Sequence, residues 1–329
     1  MRWVRHVVGV LLFLGLLVGL AAVGGTYWYL RSFQRQWTFE EQSPNLALFV
    51  PLREVDVTAP DGRRLRGWIA RQNQAAPVVW ILPDLGESRL AWWNLVTVLY
   101  DWGYHVVVFN LRGHSPSEGR FSWGTPLEGD LKALADYLRT SAYPTARWGL
   151  LGHGLGGYLA MRLLCRWPDV HLIVLEDPVQ TPLDRMTVPL HLPVQIPPGV
   201  WKTWWQTSFR WMYGDIPEDA GLKCLADKPG ARVPVVVLAS SRWPRSYVEA
   251  LYARLPEPKE LLEVPHSPVG GLAEKDWPPY LNTFQVVLNR YLPRDVSTNP
   301  DALTVEGEPP STRPPRCRRL PMAERDPGS

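Results

Sequence analysis

Cysteine is scarce in this chain: three residues in 329, at Cys165, Cys224 and Cys317. They stand far apart, follow no metal-ligand spacing and outline no disulfide framework, and an odd count leaves at least one of them free. Disulfide-stapled scaffolds carry cysteine far more densely, so all three are read as structural or incidental. Charge of one sign is also lacking. Thirty-five Lys and Arg against 32 Asp and Glu leave a net charge of +3, too little for the electrostatic footprint of a nucleic-acid-binding surface. No metal and no cofactor is expected. What remains is an ordinary globular composition, 46% hydrophobic and 20% charged, long enough for one large α/β domain or two small ones, with a sizeable core.

The N-terminus does carry a long apolar run. Val7 to Leu30 contains no charge, and its least apolar members are Thr26 and the aromatics Tyr27, Trp28 and Tyr29. At about 1.5 Å per residue this run crosses a hydrocarbon core of about 30 Å. Arg2 and Arg5 precede it and Arg31 and Arg35 follow it; the aromatic cluster suits a headgroup boundary. A cleaved signal peptide is the competing reading, with Ala21-Ala22 near a cleavage point. Its apolar region would be longer than the usual 7 to about 15 residues. Residues 1–31 are therefore read as a single-pass anchor. Glu40 and Glu41 after the span favour an inside N-terminus, which puts the globular domain on the extracytoplasmic side.

Residues 32–52 read as a polar linker, 53–293 as the globular domain and 294–329 as a disordered Pro- and Arg-rich tail. Glu54–Thr58 and Leu65–Ala70 alternate about Asp61-Gly62, a hairpin signal. From Pro77 onward apolar runs alternate with helical patterns. Strands are expected at Val78–Leu82, His105–Leu111, Trp148–Leu151, His171–Glu176, Val233–Ala239 and Glu260–Val264. Helices are expected at Arg89–Trp102, Pro126–Arg139, Tyr158–Arg166, Ser246–Leu255 and Pro279–Leu292. Fully apolar strands separated by helices imply an α/β fold, a mostly parallel sheet covered on both faces. The stretch 179–232 interrupts this alternation as a Trp-rich cap insertion. Its Trp201, Trp204, Trp205 and Trp211 are candidates for packing the cap, for an aromatic-lined pocket, or for a surface that dips into lipid.

The most informative stretch is Gly152-His153-Gly154-Leu155-Gly156-Gly157, after the Trp148 strand. As G-x-G-x-x-G (Gly152, Gly154, Gly157) it is a dinucleotide fingerprint, with Glu176 or Asp177 at the distance of a ribose-binding acid. Against that, two βα units precede it and a Pro-rich cap follows. As G-x-S-x-G it is a nucleophile elbow with glycine in place of the serine.

Three phrases support the second reading. Asn110-Leu111-Arg112-Gly113-His114-Ser115-Pro116-Ser117-Glu118-Gly119 is similar to the D-x-R-G-x-G-x-S-x-G loop of the α/β-hydrolase family. Val233 to Leu238 resembles the strand that delivers that family's catalytic acid, and Lys259 to Pro265 resembles the strand before its catalytic histidine. The chain resembles the membrane-anchored serine-hydrolase branch of this family from about Glu54 to Leu292. The resemblance implies a nucleophile at Gly154, an acid just past Leu238 around Trp243, and a histidine at Val269; none of these residues can act so. Pro83-Asp84 replaces the family's His-Gly, so a carboxylate stands in the oxyanion-hole-like region of Asp84, Leu85 and Leu155. Relocated chemistry would draw on Asp84, His114, His153, Glu176, Asp177, Ser240, Ser241 or His266, with Asp177 and His266 the strongest candidates.

The expectation is thus a membrane-anchored α/β-hydrolase-fold protein without hydrolase chemistry. Its partners would be the membrane and a lipid, another apolar small molecule or a protein, with no nucleic acid. An ester or amide hydrolase with relocated residues is the alternative, and a dinucleotide binder the second alternative.

Overall fold

The computed structural model describes residues 2–39, 50–72, 75–142, 146–165, 167, 170–179, 198–213, 220–226, 233–240, 244–265 and 276–294. The tail expected over 294–329 lies outside them except for Arg294.

Eight strands form one sheet in the order β1-β2-β4-β3-β5-β6-β7-β8. β1 (Leu52–Thr58) and β2 (Arg64–Ala70) are an antiparallel hairpin turning at Asp61-Gly62, and β2 pairs antiparallel with β4 (His105–Phe109). From β4 inward every pair is parallel: β3 (Val78–Leu82), β5 (Trp148–His153), β6 (Val170–Glu176), β7 (Val235–Ala239) and β8 (Lys259–Glu263). The central strands are apolar throughout because both sheet faces are covered. Val78, Trp80 and Leu82 enter one core, while Val79 and Ile81 enter the other. The first core takes α3 (Thr125–Tyr137), α4 (Leu155–Leu163) and α7 (Arg245–Arg254). The second takes α2 (Trp93–Asp101) and α8 (Trp277–Tyr291). Trp80 and Trp148 pack against Trp167 in tilted and edge-to-face contacts in the first core, all three all but inaccessible to water. Burying each such ring contributes upward of about 2 kcal/mol.

Three expectations need correction. The predicted helix Arg89–Trp102 is a 3-10 turn, Arg89–Trp92, leading into α2. The helix expected from Tyr158 begins at Leu155, directly on the Gly-rich turn. The third concerns cysteine: Cys165, just past α4, is bonded to Cys224 in α6 (Ala220–Ala226), with their Cα atoms 4.8 Å apart. The bond joins the cap to the sheet domain across 59 residues of sequence, a pairing that spacing alone cannot show because it depends on the cap folding back onto α4.

The linker is also not free where it is described. Helix α1 runs from Arg2 to Ser32, and Leu30 near its end is 1% exposed, packed in the first core. Trp37 then docks on the loop after β4. Its N–H donates to the Gly113 carbonyl at 2.5 Å and its own carbonyl accepts from Ser115 N–H at 2.8 Å. Its ring stacks on His114, with centroids 5.5 Å apart. The cap helix α5 (Pro198–Tyr213) closes this corner, placing Trp205 and Phe209 in the first core against Tyr29 and Trp123.

Candidate functional site

The Gly-rich turn delivers Gly154 between β5 and α4 at φ +51°, ψ −114°. A side chain is strained at this positive φ, at a cost of about 1–3 kcal/mol, and glycine is not. The turn is also very tight. A Cβ at Gly156 would collide with the Leu82 carbonyl oxygen, so strand and helix approach as only glycine permits. This is the strand–turn–helix elbow that the spacing predicts.

Its occupant is the carboxylate of Asp84. Asp84 Oδ1 accepts the backbone N–H of Leu85 and that of Leu155, each at 2.8 Å. Those are the residue after the β3 turn and the residue after the elbow, the two N–H groups that in this fold form an oxyanion hole. A Cβ built on Gly154 would lie 2.6 Å from both carboxylate oxygens of Asp84. Asp84 therefore fills the hole and also takes the space a nucleophile would need. From the sequence, Asp84 would oppose an oxyanion; in the structure it is the anion bound there.

A charge network supports Asp84. Its N–H donates to Glu87 Oε2 at 2.9 Å, and Glu87 Oε1 stands 2.8 Å from His153 Nδ1. Burial opposes a charge on His153, which is 0% exposed, but the carboxylates of Glu87, Glu176 and Asp84 outweigh it and raise its pKa to about 9. At neutral pH it is an imidazolium among carboxylates. Glu87 was not singled out in the sequence; its place three residues after Asp84, on the same turn, is the only signal for it. Ligand atoms of Asp84, Glu87 and His153 lie within 4.8 Å of one another, close enough to hold a metal ion. In this arrangement both carboxylates are spent on backbone N–H groups and on the imidazolium.

His114 is neutral. Its Nε2 accepts the Gly86 N–H at 2.9 Å and its Nδ1 donates to the Arg112 carbonyl at 3.1 Å. Burial lowers its pKa to about 4. It anchors the β4 loop with Arg112, whose guanidinium bonds Asp130 at 2.8 and 2.5 Å and Asp61 at 2.5 and 3.0 Å.

The relocated candidates do not converge. Asp177 sits at φ +42° past β6, and its carboxylate accepts both the N–H (2.9 Å) and the hydroxyl (2.5 Å) of Ser240, tying β6 to the end of β7. Glu176 is 0% exposed and accepts the Tyr280 hydroxyl at 3.0 Å, so it is not open to a ribose as the dinucleotide reading requires. Trp243, Val269, His266 and Ser241 lie outside the described residues, as does the side chain of Trp201. The other cap tryptophans diverge. Trp205 enters the core, Trp204 bonds α1, and Trp211 is 75% exposed.

Residues 77–224 match the family described as the alpha/beta hydrolase fold. With this sheet order and elbow, the chain has the α/β-hydrolase fold. Among relatives, an uncharacterised protein of Rickettsia prowazekii (strain Madrid E) is 30% identical over 135 residues. The match covers 39% of this chain and 56% of that protein, so the chain spans little more than half the length of this curated relative. Among solved structures, an esterase of Pyrococcus furiosus superposes with a TM-score of 0.57 at 21% identity, over 78% of this chain and 99% of that one. An alpha-beta hydrolase of Vibrio vulnificus gives 0.61 at 18% identity, over 78% and 89%. A bacterial membrane phospholipase A gives 0.50 at 17%, over 88% and 99%. At these identities the likeness is one of fold.

Proposed function

We propose that this chain is a membrane-anchored pseudo-hydrolase, an α/β-hydrolase-fold domain that binds a ligand or partner and does not cleave one. The observation that carries the reading is the Asp84 carboxylate bonded to both Leu85 and Leu155 N–H groups beside a nucleophile position that has no side chain. Acyl transfer needs those donors free for a developing oxyanion, and a fixed negative charge there raises the barrier it should lower. The anchoring half of the reading rests on α1, which is long and apolar enough to cross a bilayer. The Cys165–Cys224 bond favours an oxidising compartment and so the extracytoplasmic side for the domain.

The test is a fluorophosphonate probe and a panel of short- and long-chain esters on the full chain in detergent, with His266→Ala as the control. The expected result is neither labelling nor turnover above buffer. Turnover that His266→Ala abolishes would overturn the pseudo-hydrolase reading in favour of relocated hydrolysis.

A further inference from the structure

Every residue of α1 from Trp3 to Gly25 is exposed, and the first contacts with the domain come at Thr26 to Leu30. The uncharged part of that stretch, Val7 to Gly25, is 19 residues or about 28 Å of helix, which matches a hydrocarbon core of about 30 Å. The domain therefore begins where the span ends, and the element held at that level is α5. Trp204 Nε1 donates to Thr26 Oγ1 at 3.0 Å, Tyr213 donates to the Leu30 carbonyl at 2.6 Å, and the Trp211 ring stands 6.2 Å from that of Tyr27.

Helix α5 carries two apolar faces. Trp205 and Phe209 enter the core. Val200, Trp204 and Trp211 follow at i, i+4 and i+11 on another face, with Val200 62% and Trp211 75% exposed. Trp28 on α1 is 73% exposed and Arg31 and Arg210 are also exposed. This second face is half-covered at Trp204, which packs against α1 and the core, and open at Val200 and Trp211. It is continuous with the exposed apolar surface of α1, and it joins tryptophan to arginine at the depth where a bilayer changes from hydrocarbon to headgroup. Tryptophan favours that depth because its ring is apolar and its N–H is polar.

We infer that α5 is an interfacial helix: its Val200–Trp204–Trp211 face lies in the lipid headgroup layer beside the end of α1, so that the cap faces the bilayer. The inference rests on the reading of α1 as a membrane span. A second copy of the chain or a protein partner is a different occupant of the same face, and the experiment separates these.

The full chain with Cys317→Ser is reconstituted in phosphatidylcholine–phosphatidylglycerol liposomes, the Cys165–Cys224 pair being left oxidised. Nitroxides are placed singly through Leu12→Cys, Val200→Cys, Trp211→Cys and Asn289→Cys. Asn289 is exposed on α8, on the opposite face of the sheet. The ratio of oxygen to nickel-chelate accessibility gives depth. The expected order is highest at position 12, several-fold above water at 200 and 211, and aqueous at 289. Positions 200 and 211 reading like 289 while position 12 reads hydrocarbon would overturn the interfacial placement and leave the anchor standing. An aqueous reading at position 12 as well would overturn the anchor and the placement together. Dipolar broadening between copies at 211, lost on dilution with unlabelled chain, would assign the face to a second copy and overturn the lipid reading. Shielding from both oxygen and nickel without broadening would assign it to protein contact, with the same consequence.

Discussion

The Asp84 carboxylate and the missing side chain of Gly154 are two halves of one arrangement: a Cβ at position 154 would stand 2.6 Å from both Asp84 oxygens. Neither residue can be changed without reference to the other. Gly154→Ser alone meets both the carboxylate and a positive φ, and is expected to lose stability by at least the 1 to about 3 kcal/mol of the backbone strain. Asp84→Gly alone leaves the Leu85 and Leu155 N–H groups without their acceptor and costs about 1–3 kcal/mol. The double variant should be more stable than the sum of the two losses predicts, by about 0.5–3 kcal/mol, because the collision is gone. Urea unfolding of the four proteins closes the cycle; strict additivity would show that the two positions do not interfere. Gly154→Ser alone should gain no esterase activity.

His153 sets the alkaline limb of the stability profile. Its pKa in the folded protein, about 9, lies above its ordinary 6.5, so its contribution is complete below pH 6.5, falls as pH rises, and is gone above 9. The interval corresponds to about 3 kcal/mol. His105 and His114 act oppositely. Burial holds both near 4, so below pH 6.5 the unfolded chain takes up protons that the folded chain refuses. These groups together place maximal stability near pH 6.5. Melting temperatures from pH 4 to 9.5 read both limbs, and His153→Gln should flatten the alkaline one. A wild-type melting temperature that is level from 6.5 to 9 would contradict the assignment.

Arg112 should be among the costliest residues to remove. Asp130 is 3% exposed, and burial raises its pKa even though Arg112 works to lower it. Arg112→Ala strands that carboxylate and should cost about 3–5 kcal/mol. Adding Asp130→Asn should recover part of the loss, and Arg112→Lys, which keeps the charge without the fork, should fall between. Denaturant midpoints rank the three.

The cysteine bond predicts one titratable thiol per denatured chain, that of Cys317, in protein isolated without reductant. Cys224→Ser should cost about 2–4 kcal/mol. Three reactive thiols would remove the bond and with it the argument for an oxidising compartment.

The central strands were legible because two-sided burial leaves an uninterrupted apolar run, as at Val78–Leu82. The elbow was legible because its glycines answer to backbone collisions fixed by local geometry. Asp84 was visible as a departure from the family's motif, but its role was not, since a carboxylate's meaning depends on which N–H groups face it. Cys165 with Cys224, Trp37 on His114, and Glu87 beside His153 were hidden for one shared reason. Each is a contact between segments whose approach is set by the packed sheet and cap, and no local period encodes it.

Leu30 is buried in the core only five residues after Gly25, where the continuously exposed stretch of the apolar helix ends, and Trp37 is pinned soon afterwards. With α1 in a bilayer, that leaves the domain without a tether. It cannot swing outward to sample the aqueous phase, so its height and tilt are fixed with the helix. Encounter then becomes a lateral search. An anchored protein of this kind would meet its partners by diffusion within the plane of the membrane, and a soluble molecule would have to come down to that plane to be met at all.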